Sequence, residues 1–179
     1  IDFPDDLYEL GSVVINNQTG EIVGIMGGRN WASGGSMLLD HATEQFNQPG
    51  SAIKPVLDYA LAFEDLGWAT SHTVVDKPVT YGNWTFNNID NTKWGVVDLS
   101  KAVGLSLNTV AINALQAVID KSGVQRVTNY LTSLGFSQFK PELFDISFAI
   151  GGGNMRISAK ELAAATGVLI NGGNYIKPH

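Results

Sequence analysis

Cysteine is absent from this chain of 179 residues, which excludes a disulfide scaffold, thiolate catalysis and thiolate metal ligation. That absence is compatible with an oxidising exterior without requiring one. The histidines, His41, His72 and His179, have no mutual spacing of the kind metal ligands show, and no glycine loop of the phosphate-cradling type occurs; neither a metal nor a cofactor is expected. Positive charge is scarce as well. With a formal net charge of −6 and no long basic run, the chain is a poor partner for a polyanion, so nucleic acid is excluded as a ligand. No run of 18 apolar residues exists, and the segment therefore neither crosses a membrane as a helix nor opens with a signal peptide.

What is present begins with Gln48-Pro49-Gly50-Ser51-Ala52-Ile53-Lys54-Pro55. Pro49-Gly50 is a turn signal, so Ser51 leaves a bend and enters a helix where unpaired N–H groups and the positive end of the dipole gather. Ile53, Val56, Leu57, Ala60 and Leu61 form the apolar stripe of that helix, Pro55 falls in its first turn, and Gly67 offers a stop. Lys54 then stands about 4.5 Å up the axis on the face of Ser51, a spacing that suits proton transfer from the hydroxyl. The amine serves as a base only when neutral, and moving its pKa from about 10.4 to near 7 costs on the order of 4 kcal/mol, which burial together with a second cationic or donor group would supply. A capping serine followed by a solvated lysine is the plain alternative for such a pair. Ser137 and Lys140 repeat the spacing in a stretch without helical period and are read as a surface loop.

Ser106-Leu107-Asn108 follows a short helix opening at Asp98 and broken at Gly104, and precedes an apolar helix running from Asn108 or Thr109 to about Lys121. Alternation puts Ser106 and Asn108 on one side of a tight connection, where a hydroxyl and an amide point together into a cleft. Asn108 as a simple helix cap is the alternative.

Together, Ser51-Ala-Ile-Lys54 and Ser106-Leu-Asn108 resemble the motif set of the penicillin-binding proteins. Gly11 to Arg29 looks like the opening strands of the transpeptidase domain of the class A, bifunctional members. Asn88-Ile-Asp90 with Gly95, and Leu169 to Pro178, resemble later parts of the same domain. The fold implied is α+β: an antiparallel sheet flanked by helices, of the kind shared with serine β-lactamases, plus a helical subdomain. Residues 1–39 are read as a linker remnant and first hairpin, 40–165 as the mostly helical subdomain carrying the nucleophile, and 166–179 as a return toward the sheet.

The resemblance implies a D,D-transpeptidase. Ser51 attacks the D-alanyl-D-alanine carbonyl of a peptidoglycan stem peptide, Lys54 takes its proton, Ser106 relays a proton to the departing amine, and Asn108 holds the substrate amide. A β-lactam acylates Ser51 in the same way. Gly50 and Trp94, the latter on the approach to the second motif, are expected on the substrate side of the cleft. The family's third motif, Lys-Thr-Gly or Lys-Ser-Gly, lies on a strand. Lys121-Ser122-Gly123 matches in letters but joins two helices, one ending there and one with the stripe Val124, Val127, Tyr130, Leu131 and Leu134. The motif is therefore expected beyond His179, in the remaining part of the domain or a separate chain, and the segment alone is expected to be inert. The extracytoplasmic face of a bacterial membrane is the implied location, with an anchor elsewhere. A serine β-lactamase or D,D-carboxypeptidase and a non-enzymatic β-lactam sensor are the rival readings.

The rest reads as architecture. With 44% hydrophobic residues the chain supports one sizeable core, yet it offers one clear hairpin, Val13–Ile15 against Ile22–Met26 around Asn17-Gln-Thr-Gly20, so more strands are expected to complete the sheet. Ser158-Ala-Lys-Glu161 is a capping box opening a helix that Asn171-Gly172-Gly173 closes. Trp68, Trp84, Phe86 and Trp94 are expected to pack beneath a long connection. Gly151-Gly152-Gly153 is expected to be a bend, or a place where backbone comes close to a ligand.

Overall fold

Two-residue alternation and a tight turn make the first element pair. In the structure, a computed structural model that describes residues 5, 8–29 and 39–179, strand β1 (Ser12–Ile15) pairs antiparallel with β2 (Ile22–Met26), Val13 opposite Ile25, with an irregularity after Val14. Asn16 closes the turn by accepting the N–H groups of Thr19 and Gly20. The start of the expected linker remnant lies outside the described residues.

The chain divides into two compact units. One comprises residues 1–47, 133–139 and 156–179. In it, helix α5 (Ala159–Gly167) packs on β1, while Val14, Val23 and Ile25 face outward and are exposed. The expected capping box is present: Ser158 Oγ accepts the Glu161 N–H at 3.2 Å and Glu161 reaches back to the Ser158 N–H at 3.1 Å. Glu161 also accepts the Ser137 N–H at 2.9 Å. The helix was assigned by sequence to the stretch 40–165, yet it groups with the hairpin. His179 runs back beside the hairpin, accepting the Ile22 N–H at 2.8 Å and donating to the Gly20 carbonyl at 3.1 Å.

The other unit comprises residues 48–132 and 140–155. Its elements are α1 (Ala60–Leu66), β3 (Thr73–Asp76), β4 (Val79–Tyr81), β5 (Trp84–Phe86), β6 (Gly95–Asp98), α2 (Leu99–Gly104), α3 (Asn108–Ser122) and most of α4 (Val124–Ser133). Helix α3 is its axis: Val110, Ile112, Leu115 and Val118 are buried, as are Ile53, Leu57, Leu61, Leu99 and Phe148. Gly67 ends α1 in the left-handed conformation, and Asp98 caps α2 by accepting the Lys101 N–H at 2.7 Å. Lys121-Ser122-Gly123 is the end of α3, not a strand.

Three expectations need correction. The segment after Ser51 is not one regular α-helix: Gly50–Ile53 is a 3-10 turn, Pro55–Tyr59 a π-helical turn, and α-geometry begins at Ala60. The Lys54 carbonyl accepts the N–H groups of both Asp58 and Tyr59, at 3.1 and 3.2 Å, and this bifurcation widens the turn. Second, the first hairpin is not alone. β3 pairs antiparallel with β6 and β4 with β5, the latter across the two-residue turn Gly82-Asn83. Third, the tryptophans do not cluster in the core. Trp84 is 74% exposed and lines a cavity of about 680 Å³ with Tyr81, Phe86, Ile119 and Phe144, Trp68 stacks on His72, and Trp94 is half-exposed.

Candidate active site

Lys54 is 2% exposed, and its amine is turned toward the connection between α2 and α3. Nζ lies 2.6 Å from the Ser106 carbonyl oxygen, 2.7 Å from Asn108 Oδ1 and 3.2 Å from Ser106 Oγ. The first two are obligate acceptors, whereas the hydroxyl also donates. A neutral amine fits this cage: two N–H groups go to the two carbonyl oxygens, and the lone pair faces the Ser106 hydroxyl. An ammonium fits as well, donating to all three, so the cage accepts the amine before and after it gains a proton. Burial pushes the Lys54 amine down to about 8, against the opposing charge of Asp58. The fall stops short of the value near 7 expected from sequence, with the Asp58 charge acting against burial.

Ser51 is exposed at the mouth of the same segment, in the 3-10 turn, and its carbonyl accepts the Lys54 N–H at 3.2 Å. Gly50 precedes it with a φ of +56° and open space where a Cβ would project. The glycine triplet explains how this doorway is held. Gly50 donates to the Gly151 carbonyl at 3.4 Å, Gln48 Nε2 donates to the Gly153 carbonyl at 2.7 Å, and a Cβ on Gly151 would collide with the Gly50 backbone. The close approach expected of this triplet is therefore to the backbone that presents Ser51.

Ser106 sits at a φ of +53°, a left-handed conformation rare for a residue with a Cβ. Its N–H donates to the Val103 carbonyl and that of Leu107 to the Ala102 carbonyl, each at 3.0 Å, and this reverse turn aims the Ser106 carbonyl and hydroxyl at Lys54. Strain of this kind has a measurable signature: Ser106→Gly unfolds at a higher temperature than Ser106→Ala, by about 1 kcal/mol of stability, because only glycine adopts this φ without cost. Equal stability of the two variants contradicts the strain.

Asn108 is not a cap. It is the first residue of α3, after Leu107, and its side chain spans the Lys54 amine and the Asn87 carbonyl, donating to the latter at 3.1 Å. The capping role falls to Asn88, twenty residues upstream, whose Oδ1 accepts the Asn108 and Thr109 N–H groups at 2.9 and 3.4 Å. Asn88 Nδ2 in turn donates to Asp76 Oδ1 at 2.8 Å and to the Thr92 carbonyl at 3.0 Å. Asp76 also accepts the Thr109 hydroxyl and, at 2.7 Å, the Trp94 N–H. Burial pushes the Asp76 carboxyl up, but these donors outweigh it and leave the group below its ordinary value. Trp94 thus reaches the site through its backbone, while its ring lies under Lys101, whose Nζ is 4.1 Å from the ring centroid.

Sequence reasoning gave no role to three residues of the site. Asp76 left no periodic signal and Asn88 stood out only within Asn88-Ile-Asp90, since the contacts that tie them to each other and to α3 span 12 to 33 residues. Asp58 is 0% exposed, four residues after Lys54, and neither of its oxygens has a hydrogen-bond partner. The i, i+4 relation to Lys54 was available as a signal.

A turn carrying Ser51, a buried lysine three residues on and a Ser-x-Asn connection that cages its amine bring the two sequence motifs together in one place. The family model described as penicillin binding protein transpeptidase domain matches residues 10–179, and the chain belongs to that family. Penicillin-binding protein 4 and penicillin-binding protein 1A/1B of Bacillus subtilis (strain 168) are 31% and 32% identical to it over 94% of its length. The chain spans 26% and 18% of those proteins. Penicillin-binding protein 1A from Haemophilus influenzae superimposes with a TM-score of 0.78 at 28% identity, covering 96% of this chain and 25% of that one. A penicillin-binding protein from Mycobacterium tuberculosis, at 22% identity and a TM-score of 0.75, shares the fold over 94% of this chain and 44% of its own. The fold is accordingly the α+β fold of penicillin-binding protein transpeptidase domains. No helix among the described residues is long and apolar enough to cross a membrane.

Proposed function

We propose that this chain is part of a D,D-transpeptidase that cross-links peptidoglycan stem peptides through an acyl-enzyme on Ser51. The observation that carries the reading is the buried Lys54 amine, three residues after Ser51, held by Ser106 and Asn108. Lys54 takes the Ser51 proton as the bond from Oγ to the D-alanyl carbonyl carbon forms. The tetrahedral intermediate collapses when its carbon–nitrogen bond breaks, with the proton delivered from Lys54 by way of the Ser106 hydroxyl to the leaving nitrogen, and D-alanine departs. The amine of a neighbouring stem peptide then attacks the ester, loses a proton along the same route, and Ser51 regains its own. Asn108 orients the substrate amide, while Gly50 and Trp94 flank the entrance. A β-lactam follows the first half of this sequence and stays attached.

The segment works as part of a larger domain that supplies the Lys-Thr-Gly or Lys-Ser-Gly strand, within the same protein or as a separate chain, at the extracytoplasmic face of a bacterial membrane. The test uses the full-length protein. A penicillin adds the mass of one intact drug to Ser51, and Ser51→Ala abolishes the adduct; an adduct that survives the substitution removes the assignment. With lipid-linked substrate, peptide dimers are expected. Monomers trimmed of D-alanine indicate a carboxypeptidase, rapid release of hydrolysed drug a β-lactamase, and a stable adduct without any product a sensor.

A further inference from the structure

We propose that Asp58 is a positioning residue for Lys54: a buried carboxyl, one turn further along, that sets how strongly the amine holds the proton it takes from Ser51. The inference rests on the reading of Lys54 as the base.

The placement is unusual for an acid. Asp58 is fully buried, its two oxygens receive no hydrogen bond, and the neighbouring Tyr59 hydroxyl is likewise buried without a partner. A permanently ionised carboxylate in such a place costs several kcal/mol unless a cation compensates it. Lys54 is the cation on the same turn. The π-helical turn sets the two residues one turn apart on one buried segment, with both the Asp58 and the Tyr59 N–H groups closing on the Lys54 carbonyl. Yet the Lys54 amine spends its hydrogen bonds on Ser106 and Asn108, leaving the pair coupled through space rather than closed as a hydrogen-bonded ion pair.

Two groups coupled in this way titrate together. Burial pushes Asp58 well above the usual carboxylate range and Lys54 pulls it back, while burial pushes Lys54 down and Asp58 pulls it up. Tyr59 is raised by burial and by Asp58, and stays a neutral phenol. The charged groups on the packed helices are committed elsewhere. On α1, Asp65 pairs with Arg126 at 2.9 Å and Glu64 is exposed; on α3, Lys121 donates to the Asp65 carbonyl and Asp120 accepts from Gln116. The 3-10 turn before Lys54 carries no charge.

Burial alone would leave Lys54 a weak base. When it accepts the Ser51 proton, an ammonium forms on a buried side chain, and the Asp58 carboxylate compensates that charge through space, neither giving up nor taking a proton. The proton count is unchanged at the end of the step, because Lys54 passes its proton to the leaving nitrogen and the pair returns to its resting state. Substituting Asp58 therefore moves two quantities in defined directions. Without the carboxylate, Lys54 loses its proton at lower pH, and the unprotonated amine is the weaker base.

The experiment measures the second-order rate of acylation of the full-length protein by a fluorescent penicillin across the pH range about Lys54, comparing wild type with Asp58→Asn, Asp58→Leu and Asp58→Glu. In the Asn and Leu variants the acid limb is expected to move to lower pH by about half a unit or more, so that the rate relative to plateau is at least about 2.5-fold higher one unit below the wild-type midpoint, while the plateau itself falls. Asp58→Glu restores the limb toward wild type. A merely structural role lowers the rate at every pH with the limb unmoved, and that result overturns the proposal. Where the variants fail to fold, infrared difference spectra of the wild type decide: a carboxyl band that changes through the acylation midpoint supports the pairing, and a constant band overturns it. Wild type that takes no drug on Ser51 sinks the underlying reading of the site instead, and the two failures are thereby told apart.

Discussion

Replacing Lys54 with methionine lowers the rate of Ser51 acylation by about a hundredfold or more, the usual contribution of a positioned general base. Methionine keeps the unbranched shape and fills the buried channel with an apolar thioether, so the loss reports the amine rather than a void. The two carbonyl oxygens that lose their donor are those of Ser106, which is exposed, and Asn108, which is half-buried, and water can reach both. The variant also loses its pH dependence. With Lys54 titrating at about 8, wild-type acylation climbs through that region because the neutral amine is the competent form, and the climb disappears when no amine is present. A rate within tenfold of wild type on a plateau above this region would falsify Lys54 as the base, and a thermal melt run beside the assay shows that the variant is folded.

Gly67 as a stop, the Asp98 cap and the Ser158 capping box were legible from spacing, because each depends on residues within one or two turns. Burial around Lys54 was less so. A periodic stripe presumes a wet face, whereas Ile53, Lys54, Val56, Leu57, Asp58 and Tyr59 are all buried, and a segment enclosed on nearly every side hides its charged residues among apolar ones. Asp58 was therefore passed over as a residue beside the stripe. The β4–β5 hairpin is a different case. Gly82-Asn83 between Val79-Thr80-Tyr81 and Trp84-Thr85-Phe86 is a recognisable two-residue turn, overlooked because the aromatics were assigned to packing. The β3–β6 pair gave no such signal: four-residue strands joined by a long excursion are too short to display a period, and their register is set by tertiary contacts.

The cage itself is a tertiary product. Lys54 meets residues 52 and 54 positions away, and nothing local in the sequence brings them together. Asp76 and Asn88 do that work from outside the motifs. By holding the first turn of α3 to the β3 strand, they place Asn108 and the strained Ser106 where a single amine touches both. The recognisable motif letters thus depend on two residues that belong to neither motif.

Replacing Asn88 with leucine is accordingly expected to destabilise the fold by about 3 kcal/mol, since it removes the side-chain acceptor of the Asn108 and Thr109 N–H groups, the donor to the Thr92 carbonyl and one of the two donors to Asp76 Oδ1. The effect grows in acid. Asp76 holds its carboxyl below the ordinary value because its donors outweigh burial, so its contribution is present above the unfolded carboxyl's pKa and is lost as pH falls through the lower, folded one. Removing the Asn88 donor raises that folded value and brings the onset of acid unfolding to higher pH. Denaturant melts at neutral and acidic pH measure both changes. The same loss frees the start of α3, so acylation of Ser51 falls by about tenfold in protein that is still folded, an interaction lost at one remove from the reacting atoms. Stability within about 1 kcal/mol of wild type would mean that water or a neighbouring group replaces Asn88, and the first turn of α3 would then be held by its packing alone.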